Sequence, residues 1–236
     1  MAFAVPPPSP IANGAQPVVS PRGDRIAFLS NRGGAEDLYV IAADGTGEKQ
    51  LTHSRDTETA VQWSADGKQI VFSVFAEDSS RLHAIRPDGT REREIGRVPG
   101  RTPMLAPTGK RVVFMAGTWT ATRLMVSALD GSDALQISDG SSIAWNNHWS
   151  PDGELAVQVN SRVQKASAHI WVVDIASGEA RKLAAHDQPY LDETPSWFPD
   201  GTRLAFQSNR AGRTDVWVMN ADGSGQRRLT GVTARP

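Results

Sequence analysis

Apolar and polar residues alternate with period two through most of this chain, in short runs that repeat. RIAFLS (25–30), QIVFSV (69–74), RVVFMA (111–116), ELAVQV (154–159) and RLAFQS (203–208) share one pattern, rich in β-branched and aromatic residues. Each is followed by a second run of the same kind: DLYVIA (37–42), RLHAIR (81–86), RLMVSA (123–128), HIWVVD (169–174) and DVWVMN (215–220). A shorter segment then ends in Leu or Ile, often with Thr or Ser beside it: KQLT, REREI, ALQIS, RKL, RRLT. Helical periodicity is nearly absent, so the pattern predicts strands throughout.

Two series of turns punctuate the strands. The first is VSPRG (19–23), WSADG (63–67), LAPTG (105–109), WSPDG (149–153) and WFPDG (197–201), its glycines 44, 42, 44 and 48 residues apart. The second is AADG (42–45), RPDG (86–89), ALDG (128–131), IASG (175–178) and NADG (220–223), spaced 44, 42, 47 and 45. Two series locked to one period make five units of four short strands. That predicts an all-β fold, a five-bladed β-propeller of four-stranded antiparallel blades. The expected blades are 17–52, 58–98, 101–138, 145–184 and 193–230, in a single domain over 17–236 behind a Pro-rich lead-in at 1–16. Asp-Gly would supply the positive-φ positions of tight hairpins, with Pro presetting the residue before them. Trp63, Trp149 and Trp197 would end the innermost strands and fill wedge-shaped gaps between blades.

The motif SPDGxxIAFxSNRxGxxDLYVMNADGSGxxRLT, matched nearly throughout Phe198–Thr230 and almost as well over Ser20–Thr52, resembles the TolB-type propeller repeat. That repeat occurs in the Tol–Pal envelope protein and in propeller domains of prolyl-oligopeptidase-type serine peptidases. The resemblance covers about residues 17–230 and implies the fold more than the function. The chain departs from the family in two ways. It shows five repeats where TolB resembles a six-bladed propeller with an added α/β domain, and it contains no G-x-S-x-G nucleophile elbow. Neither a TolB role nor peptidase activity carries over.

Composition narrows the partners. Lys and Arg number 25 against 26 Asp and Glu, which argues against a nucleic-acid binder driven by a basic field. With no cysteine, disulfides and thiolate metal sites are excluded, and no apolar run reaches membrane-spanning length. The start MAFAVPPPSPIANG lacks a basic n-region and a long apolar stretch. As written it fits a cytoplasmic protein, or a periplasmic one whose signal peptide has been replaced by Met.

In a four-stranded meander the 1–2 and 3–4 turns lie at one end of each blade and the 2–3 and 4–1 loops at the other. All ten short turns belong to the first end, so a site is expected among the loops: 31–37, 74–81, 116–123 and 159–169, with 53–60, 92–103, 139–147 and 184–195. These hold the candidate ligand-binding residues Trp145, Asn147, Glu58, Glu193, Asp192, Arg101 and His186, and His148 follows directly on 139–147. His and carboxylates together would suit a divalent metal in the channel or an acid–base pair, although no HExxH-like spacing supports a metal and no cofactor is expected. The competing reading has Glu58 and Asp192 bonding to backbone amides, with the histidines on a solvated rim. Trp119 and the basic loop with Arg162, Lys165 and His169 are further partner-binding candidates, against plain packing and solvation. The leading expectation is a non-catalytic module that presents its loop face to a protein or peptide. The alternatives are a small-molecule lyase, isomerase or hydrolase acting at the channel mouth through His148 and a carboxylate, and a detached propeller half of a larger assembly.

Overall fold

A computed structural model describes residues 14–76, 78–118, 121–138, 143–153, 155–162, 167–175, 177, 179–183 and 190–230. Among these every regular element is a strand, and no helix is long and apolar enough to cross a membrane. The strands form five four-stranded sheets. Sheet 1 holds β1 (Gly14–Val19), β2 (Arg25–Ser30), β3 (Asp37–Ala42) and β4 (Lys49–Gln50). Sheet 2 holds β5 (Glu58–Trp63), β6 (Ile70–Ala76), β7 (Ser79–Ile85) and β8 (Arg93–Val98). Sheet 3 holds β9 (Arg101–Leu105), β10 (Arg111–Thr118), β11 (Ala121–Ala128) and β12 (Leu135–Gln136). Sheet 4 holds β13 (Ile143–Trp149), β14 (Leu155–Arg162), β15 (Ser167–Asp174) and β16 (Ala180–Lys182). Sheet 5 holds β17 (Asp192–Trp197), β18 (Arg203–Ser208), β19 (Asp215–Asn220) and β20 (Arg227–Arg228). Each is a meander in sequence order. β1 takes in Gly14–Gln16, so the first sheet reaches into the stretch expected to be lead-in.

The chain divides into two compact units. The first runs to Leu105 and includes Leu129–Gly131; the second holds Ala106–Ala128 and continues from Ser132. In the first, Ala27, Leu29, Leu38, Val40 and Leu51 of sheet 1 bury against Val61, Trp63, Ile70, Phe72 and Val74 of sheet 2. Trp63 is 9% exposed and its indole N–H donates to the Val18 carbonyl at 2.9 Å, so it fills the gap between the sheets and ties them together. In the second unit Trp197 packs against Ile170, Val172, Leu204 and Phe206, between sheets 4 and 5. Trp63 and Trp197 thus play the wedge role expected of them.

The turns differ from expectation in one detail. Gly67, Gly153 and Gly201 have φ of 69°, 75° and 68°, but no Asp before them has positive φ. The Gly67 N–H donates to the Ser64 carbonyl at 2.9 Å, a type I turn whose αL residue is the glycine alone. The aspartates instead accept from their own turn: Asp66 from the Lys68 N–H at 3.0 Å, Asp200 from the Thr202 N–H at 2.9 Å, Asp44 from the Thr46 N–H at 2.9 Å.

The opposite end is more regular than the sequence implied. In sheet 2 the β6–β7 pairing runs out to Ala76↔Ser79, and in sheet 3 the β10–β11 pairing runs out to Thr118↔Ala121. In sheet 4 it reaches Arg162↔Ser167. Three of the expected 2–3 loops are therefore mostly strand, because the alternating pattern continues through them. Open 2–3 loops remain in sheets 1 and 5, at 31–36 and 209–214.

Glycines with the same positive φ tolerate a side chain unequally. A Cβ at Gly223 would lie 2.2 Å from the Leu183 carbonyl oxygen, whereas one at Gly23 would meet nothing within 4 Å. Gly23→Ala should cost about 1–2 kcal/mol, the left-handed penalty alone. Gly223→Ala should cost roughly 3 kcal/mol or more, since backbone must move. Urea denaturation of both variants measures the difference; equal losses would contradict it.

Candidate functional site

The first strand of the sheets carries a feature that the sequence does not announce. Its pairing slips between Ala15 and Val18, Thr59 and Gln62, Trp145 and His148, and Glu193 and Ser196. At the slip Gln16, Ala60 and Thr194 adopt φ of 51°, 52° and 49°, and Thr102 in β9 adopts 47°. A β-branched residue in this region is strained, so a repeated bulge is held there by its surroundings. It splits the strand into a loop-side half, with Glu58, Arg101, Trp145, Asp192 and Glu193, and a turn-side half, with Gln62 and His148.

In the first unit Glu58 begins β5 and is 1% exposed. Its carboxylate accepts from the Thr52 hydroxyl at 2.7 Å, and that hydroxyl accepts from the Leu38 N–H at 2.8 Å. Burial, with the nearby Asp37 charge adding to it, pushes the Glu58 carboxyl up to about 7. Gln62, on the far side of the bulge, donates to the Leu105 carbonyl at 2.9 Å and accepts from the Leu105 N–H at 2.8 Å, a strut between β5 and β9. Arg101 is half-buried at the start of β9.

In the second unit Asp192 is fully buried and pairs with Arg210 at 2.6 Å, across the hairpin from it in the same sheet. Glu193 is half-buried beside it. His148 is half-buried in β13 at the register position Gln62 holds in β5, one residue before the tryptophan in both strands. It therefore lies on the turn side of its bulge, not among the loop-side acids. Burial pulls its imidazole below the ordinary histidine range, so the ring is neutral near pH 7. Trp145 and Asn147 lie on the backbone of β13, with side chains outside the described residues; His186, Trp119 and Lys165 lie outside them altogether, and so does the Arg162 side chain. His169 is half-buried on β15. Among the described residues no three His, Asp or Glu side chains gather as metal ligands.

Of the backbone amides that the competing reading gave these acids, Glu58 has that of Leu38 beside its Thr52 contact. Glu58 takes a hydroxyl from the preceding sheet, and Asp192 takes an arginine. The arginine was overlooked. Arg210 donates to Ser208 at 3.0 Å, stacks 4.8 Å over the Trp217 ring and also bonds to Gln226. Arg32 repeats this in sheet 1, with Ser30 at 3.0 Å, the Tyr39 ring at 4.4 Å and Glu48 at 2.6 Å. The signal was the triplet SNR, present at 30–32 and again at 208–210.

Comparison with known proteins places this geometry. The description "TolB beta propeller domain" matches residues 9–147 and again 74–235, an overlap that a repeated unit produces. Dipeptidyl-peptidase 5 of Porphyromonas endodontalis is 28% identical over 203 residues, covering 81% of this chain and 28% of the peptidase. The Tol-Pal system protein TolB of Anaeromyxobacter dehalogenans is 28% identical over 174 residues, covering 70% of this chain and 38% of that protein. The chain thus spans well under half the length of these relatives. Among solved structures, TolB from Acinetobacter baumannii superposes with a TM-score of 0.68 at 20% identity, over 88% of this chain and 53% of that one. An oligogalacturonate lyase from Vibrio parahaemolyticus does so at 0.68 and 16%, over 91% and 64%. At such identities the likeness is one of fold.

Removing one partner of the Asp192–Arg210 pair leaves a buried charge without compensation. Asp192→Ala should lose about 3–5 kcal/mol, and adding Arg210→Met should restore part of the loss. Chemical denaturation of the single and double variants reads this; simple additivity would show that the pair is uncoupled.

Proposed function

The chain belongs to the TolB β-propeller family, and on that premise we propose that its five sheets are the blades of one propeller domain, a non-catalytic scaffold that offers its loop ends to a protein or peptide partner. The observation that carries this reading is the contrast between the two ends of the sheets. At the turn end Asp24, Asp44, Asp66, Asp88, Asp200 and Asp222 are satisfied within their own turns, accepting from a backbone N–H two residues on or from a hydroxyl two or four residues away. At the loop end stand the open loops 31–36 and 209–214 and the varied residues Arg101 and Glu193. Rigid sheets with self-contained turns and varied loops suit recognition better than chemistry.

A second reading keeps the neutral, half-buried His148 as a proton acceptor in a small-molecule enzyme. The Gln62 strut at the same register position supports a packing role for His148 instead.

The test uses a peptide selected from a random displayed library against the whole chain. Glu193→Ala and Arg101→Ala should weaken its binding at least about tenfold, while Lys68→Ala and Arg86→Ala at the turn end should leave it within about twofold. The reverse pattern would sink the proposal. His148→Ala should fold and bind the same peptide unchanged. If a screen of small ligands and divalent metals finds one that stabilises the wild type but not this variant, the enzyme reading takes its place.

A further inference from the structure

The packed face between sheets 1 and 2 is apolar except at one edge. There Glu58 pairs in register with Val74, Val74 with Arg81, and Phe72 with His83, so all five side chains share the face of sheet 2 that meets sheet 1. Opposite Glu58, Asp37 on β3 is 4% exposed; one of its carboxylate oxygens accepts from Gln50 at 2.9 Å and the other is buried without a hydrogen bond. Asp37 and Glu92 are near enough to Glu58 to oppose its ionisation. The Glu36 backbone carbonyl takes the Glu58 N–H at 3.2 Å. Arg81, the cation on the same cross-strand line, is engaged with Asp56 at 2.8 Å. His83 sits with Nδ1 3.2 Å from the Glu92 carboxylate, an ion pair only when the ring is protonated.

We propose that this seam is a proton-dependent joint, tight while the buried Glu58 holds its proton and loosened when it releases it. An ionised Glu58 would put a second negative charge beside Asp37 in a place closed to water, with the Thr52 hydroxyl as its hydrogen-bonding side-chain donor. Burial first, and the two acids after it, raise the Glu58 carboxyl from 4.5 to about 7 even though the Thr52 hydrogen bond favours the charged form. A raised folded-state value means that the folded chain binds the proton more tightly than the unfolded chain. The stabilisation is complete below the unfolded value and is lost as pH rises through the folded one. The joint should therefore slacken as pH rises from about 4.5 to about 7.5.

The test is thermal melting of the whole chain across that range, with Glu58→Gln and Glu92→Gln as variants. The wild type should lose roughly 4 °C or more of Tm as pH rises. Glu58→Gln keeps an acceptor for Thr52 without the charge, so most of the slope should vanish and its Tm at high pH should exceed that of the wild type. Glu92→Gln should flatten the slope only in part. A flat wild-type profile, or an undiminished slope in Glu58→Gln, overturns the proposal. If Glu58→Gln does not fold, hydrogen exchange of the wild type decides. After correction for intrinsic rates, protection of the Leu38 and Leu51 amides should fall about tenfold over the range while that of Phe206 and Val218 in sheet 5 holds. An equal fall in both sheets, or none, would dismiss the joint.

Discussion

Everything else in this molecule depends on one sheet's aliphatic face closing on the tryptophan-bearing face of the next. A four-stranded sheet of this length cannot bury both of its faces alone, so its stability comes from its neighbours. Between sheets 1 and 2 the contact joins Leu29, Leu38 and Val40 to Trp63, Ile70 and Phe72. Between sheets 4 and 5 it joins Ile170 and Val172 to Leu204, Phe206 and Met219. Small and branched residues on one side receive large rings on the other, and the Trp63 N–H and the Gln62 amide fasten first strand to first strand. The bulge then follows naturally. One extra residue in the first strand re-aims the side chains that follow it, and the packed sheets hold Ala60 and Thr194 in a conformation they would not choose alone.

The same constraint decides where polar chemistry can sit. Face centres are apolar, so charged groups are pushed to the edges, where they bond locally or pair across a hairpin. Asp192 with Arg210 and Arg32 with Glu48 are fixed in this way, each arginine lying over an aromatic ring. Of these four only Asp192 reads as a site candidate in the sequence, and in the fold it is ion-paired. Glu58 stands apart, because its partner is a neutral hydroxyl and its neighbours are acids. Its charge is pushed back toward neutrality.

Much of the fold was legible because it rests on local chemistry. The turn glycines were readable because a left-handed position admits little else, and Trp63 because a ring that size at a strand end must fill a gap. The bulges were not, since Ala60, Thr102 and Thr194 have no preference for the conformation they adopt. The outer ends of the second and third strands in sheets 2 and 3 were misread as loops, although they stay paired. Of the candidate site, the burial of Glu58 and Asp192 could be inferred from their place at strand starts, but their partners could not. Thr52 belongs to the preceding sheet and Arg210 lies across a hairpin. His148 was placed with the loop-side acids because strand position without the bulge does not say on which side a residue falls.

Native-state hydrogen exchange in low denaturant tests the dependence of each sheet on its neighbour most directly. In sheets 1 and 2, paired amides such as those of Phe28, Val40, Phe72 and Ala84 should open together in one cooperative event, well above the loop 31–36 in protection. Sheet 1 amides exchanging through their own opening, while sheet 2 stays protected, would contradict the account.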